Sequence, residues 1–178
     1  SGNILSIRRA FEKWDVEVNI TNEKEKILSA SRLVLPGVGA FKNAIDKLNS
    51  KHFFELIPEI RLKEIPLLGI CLGMQLFFEE STENTITSGL GIIKGSVKKL
   101  SINNYDILPN VGWFKTHIEP NNYFSYLKQF NHEKFYYVHS FVAEPEENLN
   151  QIATSYYNGK KFCAITTKNS NIIGTQFH

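Results

Sequence analysis

The sequence predicts an α/β fold: a mostly parallel central sheet flanked by helices, with antiparallel strands added in the C-terminal half. Three observations predict it. The first 70 residues alternate between helix-period and strand-period segments, the pattern of parallel strands joined by helices. A continuous apolar run at 65–70 reads as a strand buried on both faces, and it turns at once into Gly69-Ile70-Cys71-Leu72-Gly73. After Gly89 the pattern becomes a succession of short strands and turns. With 178 residues and no linker-like stretch, the chain reads as one domain over 1–178.

In order along the chain, Ile4, Ile7, Ala10, Phe11 and Trp14 form a helical stripe over 4–14, with Arg8 and Arg9 beside it, either a solvated face or a partner surface. Val16, Val18 and Ile20 alternate with polar residues and predict a short strand. A brief helix follows at 27–30 and a buried strand at 32–35. Pro36-Gly37-Val38-Gly39-Ala40-Phe41 then leads into a helix over 42–49. A glycine-rich loop at the carboxyl end of a strand is where open α/β sheets bind ligands, and its backbone N–H groups could face an anion or an oxyanion. No Lys-Ser/Thr follows, which argues against a phosphate loop. An amphipathic helix is expected over 52–63, then the strand at 65–70. Met74, Leu76, Phe77 and Phe78 continue an apolar helical face, and 79–88 reads as a polar loop. Strands are expected at 91–94, 96–100, 134–142, 151–157, 162–167 and 172–177, with one helix near 123–130 and a turn presenting Trp113.

Composition excludes several function classes. Twenty basic against eighteen acidic residues leave a formal charge of +2, interspersed, which gives no basic face for nucleic acid. No apolar run approaches the roughly 20 residues of a membrane span. Two cysteines, Cys71 and Cys163, do not make a disulfide framework; an elbow cysteine with histidines elsewhere suggests a cytoplasmic enzyme with a reactive thiol. Neither cysteine has a second Cys or His at ligand spacing, so no metal is expected, and no cofactor.

Cys71 carries the chemistry. A strand that turns sharply into a helix through Gly-x-Cys-x-Gly is the thiol counterpart of the serine nucleophile elbow. A Cβ at either glycine would crowd neighbouring elements, and the following helix would favour thiolate over thiol. The competing reading is a buried structural cysteine, the reading given to Cys163 between Phe162 and Ala164. His52, His117 and His132 lie in polar surroundings and read as surface histidines.

Three further segments complete a pattern: Asn110-Val111-Gly112-Trp113, Tyr136-Tyr137-Val138-His139-Ser140-Phe141 and Gly174-Thr175-Gln176-Phe177-His178. Together with the glycine loop at 36–41 and the elbow, they resemble the class I glutamine amidotransferases, with a flavodoxin-like sheet, and within them the glutaminase subunits of imidazole glycerol phosphate synthase. The resemblance runs over essentially the whole chain. It implies Cys71 as the nucleophile that forms a γ-glutamyl thioester and His178 as the general base and acid. It implies an oxyanion hole made by the backbone N–H groups of Leu72 and Gly39, with the 36–39 loop as the switch for hydrolysis. Gln75, Glu83 and His139-Ser140-Phe141 align with positions that hold the α-amino and α-carboxylate ends of glutamine. A barrel-type cyclase or synthase subunit is the implied partner, with Trp113 at the interface.

The family continues past its histidine with Pro-Glu, the Glu orienting the imidazole, and it begins with a strand before its Gly-Asn. This sequence runs from Ser1 to His178, so a first strand and the third triad residue are expected beyond its ends. The family also reads His-x-Gly-Trp-Asn where this chain has Asn110-Val111-Gly112-Trp113-Phe114, a departure expected on the partner-facing side. The alternatives are a paralogue that supplies ammonia to a sugar amidotransferase of surface-polysaccharide synthesis, a non-catalytic regulatory subunit, and a free-standing γ-glutamyl hydrolase.

Overall fold

The structure, a computed structural model, describes residues 4–103, 105–119 and 124–178. Apart from the segment 16–20, its first half follows the expected alternation. Helices α1 (Ile4–Glu12), α2 (Lys24–Leu28), α3 (Phe41–Asn49) and α4 (Ile57–Leu62) surround strands β1 (Leu33–Gly37) and β2 (Leu67–Cys71). β1 pairs with β2 in parallel, and on its other side β2 pairs in parallel with β11 (Ile172–Thr175). Strand β2 is thus hydrogen-bonded on both edges, with Leu67, Gly69 and Cys71 buried on one face and Leu68 and Ile70 partly buried on the other. Ile27, Phe41, Ile45, Leu56, Ile57 and Ile60 of the helical side meet Leu67, Met74, Phe77 and Ile172 in one buried cluster.

The sheet then changes character. β10 (Lys160–Lys168), β9 (Gln151–Tyr157), β6 (Asn110–Ile118) and β7 (Lys134–His139) continue from β11, all antiparallel. Among the described residues the seven-stranded order is β1-β2-β11-β10-β9-β6-β7. A second sheet joins β3 (Phe78–Ser81), β4 (Thr87–Ser88), β5 (Ile93–Lys99) and β8 (Phe141–Pro145) in the order β4-β3-β5-β8. No described helix is long and apolar enough to cross a membrane.

Several local expectations are corrected. Segment 16–20 joins no ladder with a described strand, and its Val16 and Ile20 are exposed. β1 is less buried than expected, with Val34 exposed on a strand paired on one side only among the described residues. The helix after Cys71 is a single turn, α5 (Leu72–Gln75), because Phe78 already begins β3. The polar stretch 79–88 holds the rest of β3 and all of β4. Segments 91–94 and 96–100 are one strand, β5, which crosses Gly95 at φ +123 opposite Pro145. The span 52–63 divides into a 3-10 turn (Phe53–Leu56) and α4, and the helix near 123–130 is a 3-10 segment (Ser125–Phe130), with Tyr123 outside the described residues. Asn110 to Trp113 is the start of strand β6 and not a turn. The most consequential correction is at 134–142: this span leaves the large sheet at His139 and enters the small one at Phe141, with Ser140 as the crossing point.

Candidate active site

Cys71 ends β2 with φ 54 and ψ −110, a conformation that non-glycine residues rarely adopt and that turns the chain directly into α5. The flanking glycines permit the turn. A Cβ on Gly73 would lie 1.8 Å from the Leu35 carbonyl oxygen, and one on Gly69 would lie 2.6 Å from the Phe77 ring. The elbow is therefore pressed against β1 on one side and its own downstream chain on the other.

The elbow opens into a cleft of about 450 Å³. Gly39, Cys71, Leu72, Gln75, Glu83, His139, Ser140, Phe141 and His178 all line it, with Val38, Pro109 and Val138 completing the walls. Nine residues singled out in the sequence thus converge from five separate segments. Trp113 alone stands apart, on the outward face of β6, 67% exposed and 5.8 Å from the Tyr136 ring. Its register neighbours on that face, Val111 and Val138, are also exposed, so the patch reaches the rim of the cleft.

Each wall is fixed by hydrogen bonds. Gly39 has φ +95 and open space where a Cβ would sit, so the loop presents bare backbone to the cleft. The loop's exit is tied down by Glu83, whose Oε2 accepts from the Phe41 N–H at 2.7 Å at the start of α3. His178 extends beyond β11 and is exposed at the cleft, its backbone N–H donating to the Tyr136 carbonyl at 2.9 Å. Phe177 beside it stacks on Phe135 at 4.2 Å. His139 is buried, and both ring nitrogens are used: Nδ1 donates to the Phe141 carbonyl at 3.0 Å, and Nε2 accepts from Asn110 Nδ2 at 3.1 Å. That pairing selects one neutral tautomer, since a carbonyl only accepts.

The electrostatics correct one expectation. Burial pushes the Cys71 thiol up to about 11, against the opposing pull of hydrogen bonds from the Leu72 backbone N–H and the Gln176 side chain. One helical turn supplies too little dipole to outweigh desolvation, so the thiol is protonated at neutral pH. Burial also lowers His178 below its ordinary value, which leaves a neutral imidazole able to accept a proton. His139 is held down to about 4 by burial, against the pull of the Phe141 carbonyl, with His178 nearby as a smaller lowering influence. The thiol and the imidazole that share the cleft are thus both neutral, not a preformed ion pair.

Two residues of the site carry no role in the sequence reading. Gln176 is fully buried and donates from Nε2 to Cys71 Sγ at 3.6 Å. Asn110 is fully buried and orients His139. The signal for Gln176 is its place as a polar residue in an otherwise apolar or small segment two residues before His178, within the span 172–177 that the sequence predicts as a strand. Asn110 carries no comparable signal. Phe114 is also reassigned: it points inward, edge-on to Tyr137 and Tyr157 at 6.2 and 5.9 Å, so the departure there concerns core packing and not the outward face.

The model of the family glutamine amidotransferase class-I matches residues 1–178. The chain is 38% identical over 185 residues to imidazole glycerol phosphate synthase subunit HisH 1 of Legionella pneumophila (strain Lens), covering 99% of this chain and 86% of that one. It is 40% identical over 179 residues to the HisH subunit of Methanocaldococcus jannaschii, covering 100% and 86%. A solved glutamine amidotransferase shares the fold with a TM-score of 0.72 at 14% identity, over 99% of this chain and 85% of that one. With a thiol elbow, a histidine and an open glycine loop around one cleft, and a family match along its whole length, the chain belongs to the class I glutamine amidotransferases.

Proposed function

We propose that the protein is the glutaminase subunit of an imidazole glycerol phosphate synthase, hydrolysing glutamine and passing the ammonia to a partner subunit. The identity to HisH subunits supports the assignment to that synthase. One observation carries the chemistry: Cys71, His178 and the backbone of Gly39 and Leu72 share a single cleft.

His178 takes the Cys71 thiol proton as sulfur attacks the side-chain amide carbon of glutamine. The carbonyl oxygen becomes an oxyanion between the N–H groups of Leu72 and Gly39, an interaction whose loss typically costs on the order of 3 kcal/mol of transition-state stabilisation. Collapse breaks the carbon–nitrogen bond, and His178 returns the proton to the departing ammonia. Water, deprotonated by the same imidazole, then attacks the γ-glutamyl thioester and releases glutamate with the thiol restored. Gln75 spends its side-chain nitrogen on two hydrogen bonds within the protein, which leaves its carbonyl oxygen to accept from the α-amino group of the substrate. Glu83 and the crossing at Ser140 line the same cleft.

The partner is a synthase subunit of (β/α)₈-barrel type in a cytoplasmic complex, docking on the outward face that carries Val111, Trp113 and Tyr136. The test is Cys71→Ala in the complex with its synthase. Glutamine-dependent turnover is abolished while ammonia-dependent synthesis persists; retention of glutaminase turnover sinks the assignment of the nucleophile.

A further inference from the structure

A buried line of side-chain amides runs from the sheet crossing to the nucleophile. Gln75 Nε2 donates to the Phe141 carbonyl at 3.0 Å and to Gln176 Oε1 at 3.1 Å. Gln176 Nε2 lies 3.6 Å from Cys71 Sγ. Gln75 is 5% exposed and Gln176 not at all. A primary amide buried in a core costs free energy unless its polar atoms face suitable partners, and the partners present here suit only one orientation of each amide.

The sense is dictated at the far end. A backbone carbonyl can only accept, so Gln75 must present its NH₂ to Phe141. Its second N–H then requires an acceptor, which is the carbonyl oxygen of Gln176. The NH₂ of Gln176 is left facing sulfur. Reversing Gln176 would oppose two NH₂ groups and set a carbonyl oxygen against sulfur lone pairs. Reversing Gln75 would oppose two carbonyl oxygens. Two amides thus carry the polarity of one peptide carbonyl to the elbow.

We infer that Gln176 is a catalytic residue, holding a hydrogen-bond donor permanently against Cys71 Sγ, and that Gln75 is the positioning residue that keeps the donor end turned to sulfur. The inference rests on Cys71 being the nucleophile. A donor aimed at sulfur favours thiolate over thiol and over thioester, because the anion is the strongest acceptor of the three. It therefore acts twice, when sulfur loses its proton for attack and when it departs as water cleaves the thioester. Burial pushes the thiol up, and the hydrogen bonds from the Leu72 N–H and the Gln176 side chain oppose that push, in the sense this role requires. The titratable groups that share the cleft are His178 beyond β11, His139 at the end of β7 and Glu83 beyond β3. His139 is locked in its neutral form, one Glu83 oxygen is engaged with Phe41, and burial lowers His178 while it raises the thiol, so the titration of His178 lies below that of Cys71.

The test is the pH dependence of Cys71 alkylation by iodoacetamide in the full-length protein, read by mass spectrometry, with buried Cys163 as internal reference. Gln176→Met keeps length and bulk but removes the donor. Its alkylation midpoint rises by about one pH unit or more, and kcat for glutamine hydrolysis in the complex falls about tenfold or more with KM little changed. Gln176→Glu keeps an acceptor for Gln75 and sets a carboxylate against sulfur, so its midpoint rises at least as far. Folded variants with wild-type midpoints overturn the inference, because a residue that only fills space would lower stability without moving the thiol titration. If neither variant folds, the side-chain ¹⁵N resonance of Gln176 decides in the unmutated protein. It moves with pH at the alkylation midpoint of Cys71, and a resonance indifferent to that midpoint overturns the inference. Failure of the underlying reading looks different: Cys71→Ala would then retain glutamine turnover.

Discussion

The two halves of the large sheet present opposite solutions to building one cleft. In the parallel half, β1, β2 and β11 run the same way, so their carboxyl ends gather at one edge and deliver the glycine loop, Cys71 and His178 together. The chemistry there is set by backbone: a positive φ at Cys71, an open loop at Gly39 and a glycine pressed on β1. In the antiparallel half, β6 and β7 contribute a wall whose properties come from side chains. Tyr137, Phe114, Phe135, Phe162 and Phe177 pack edge-on or stacked behind it, and His139 is locked between Asn110 and Phe141. Backbone strain concentrates where bonds are to be made, and side-chain packing holds the surface opposite.

That contrast predicts unequal tolerance. The largest effect belongs to Gly73→Ala, whose new Cβ would meet the Leu35 carbonyl at 1.8 Å. The obstacle is backbone of a paired strand and cannot swing aside, so the loss is at least about 3 kcal/mol, enough to remove most of a typical domain's margin. Urea denaturation and soluble yield measure it. A variant with wild-type stability would mean that α5 does not press on β1 as described.

The same contrast explains what could be read from sequence. The parallel half was legible because its signals are local: an apolar run, two glycines around a cysteine, a glycine loop after a strand. The antiparallel half was legible only in part, because its strands take their meaning from partners far along the chain. β6 looks like a turn at Asn110-Val111-Gly112 because Gly112, at φ +150, interrupts the pattern, and Lys115 and His117 hide the rest of its alternation. The crossing at Ser140 is invisible locally, since 134–142 reads as one strand until pairing assigns its ends to different sheets. Of the cleft lining, the elbow cysteine, His178 and the glycine loop were legible as candidates. The Gln75–Gln176 line was not, because it joins residues 101 positions apart.

Next in size is a pH effect in the antiparallel wall. Burial holds His139 at about 4, below the ordinary histidine value near 6.5. The unfolded chain therefore takes up the proton first. Stability from this group is intact above about pH 6.5, declines as pH falls, and has fully declined by about pH 4, a loss of about 3 kcal/mol. Urea midpoints at pH 7 and pH 4.5 read it, and His139→Gln flattens the slope across that window. An unchanged slope would show that His139 is not buried in its neutral form. Smaller again is Tyr137→Phe. The hydroxyl sits 2.5 Å from Thr116 Oγ1 and also interacts with Ser155, and burial pushes it up to about 12. Its removal strands a buried threonine hydroxyl and costs about 1 kcal/mol, measured by thermal unfolding.

The smallest effect on the fold comes from the outward face of the same wall. Trp113 is 67% exposed, and within the chain its ring meets only that of Tyr136 among the described aromatic contacts, so Trp113→Ala should change stability by no more than about 0.5 kcal/mol. A large indole left in water beside two exposed valines is a poor investment for folding, but a suitable anchor for association. Affinity for the synthase subunit, by titration calorimetry, is therefore the discriminating measurement, with a loss of about 2 kcal/mol expected. Because β7 carries Tyr136 outward and Tyr137 inward on adjacent residues, a partner pressing on Trp113 would bear on the strand that ends at His139 and whose Tyr136 carbonyl receives the His178 N–H. A variant that binds normally would confine the partner to another face and leave this wall as the back of the cleft alone.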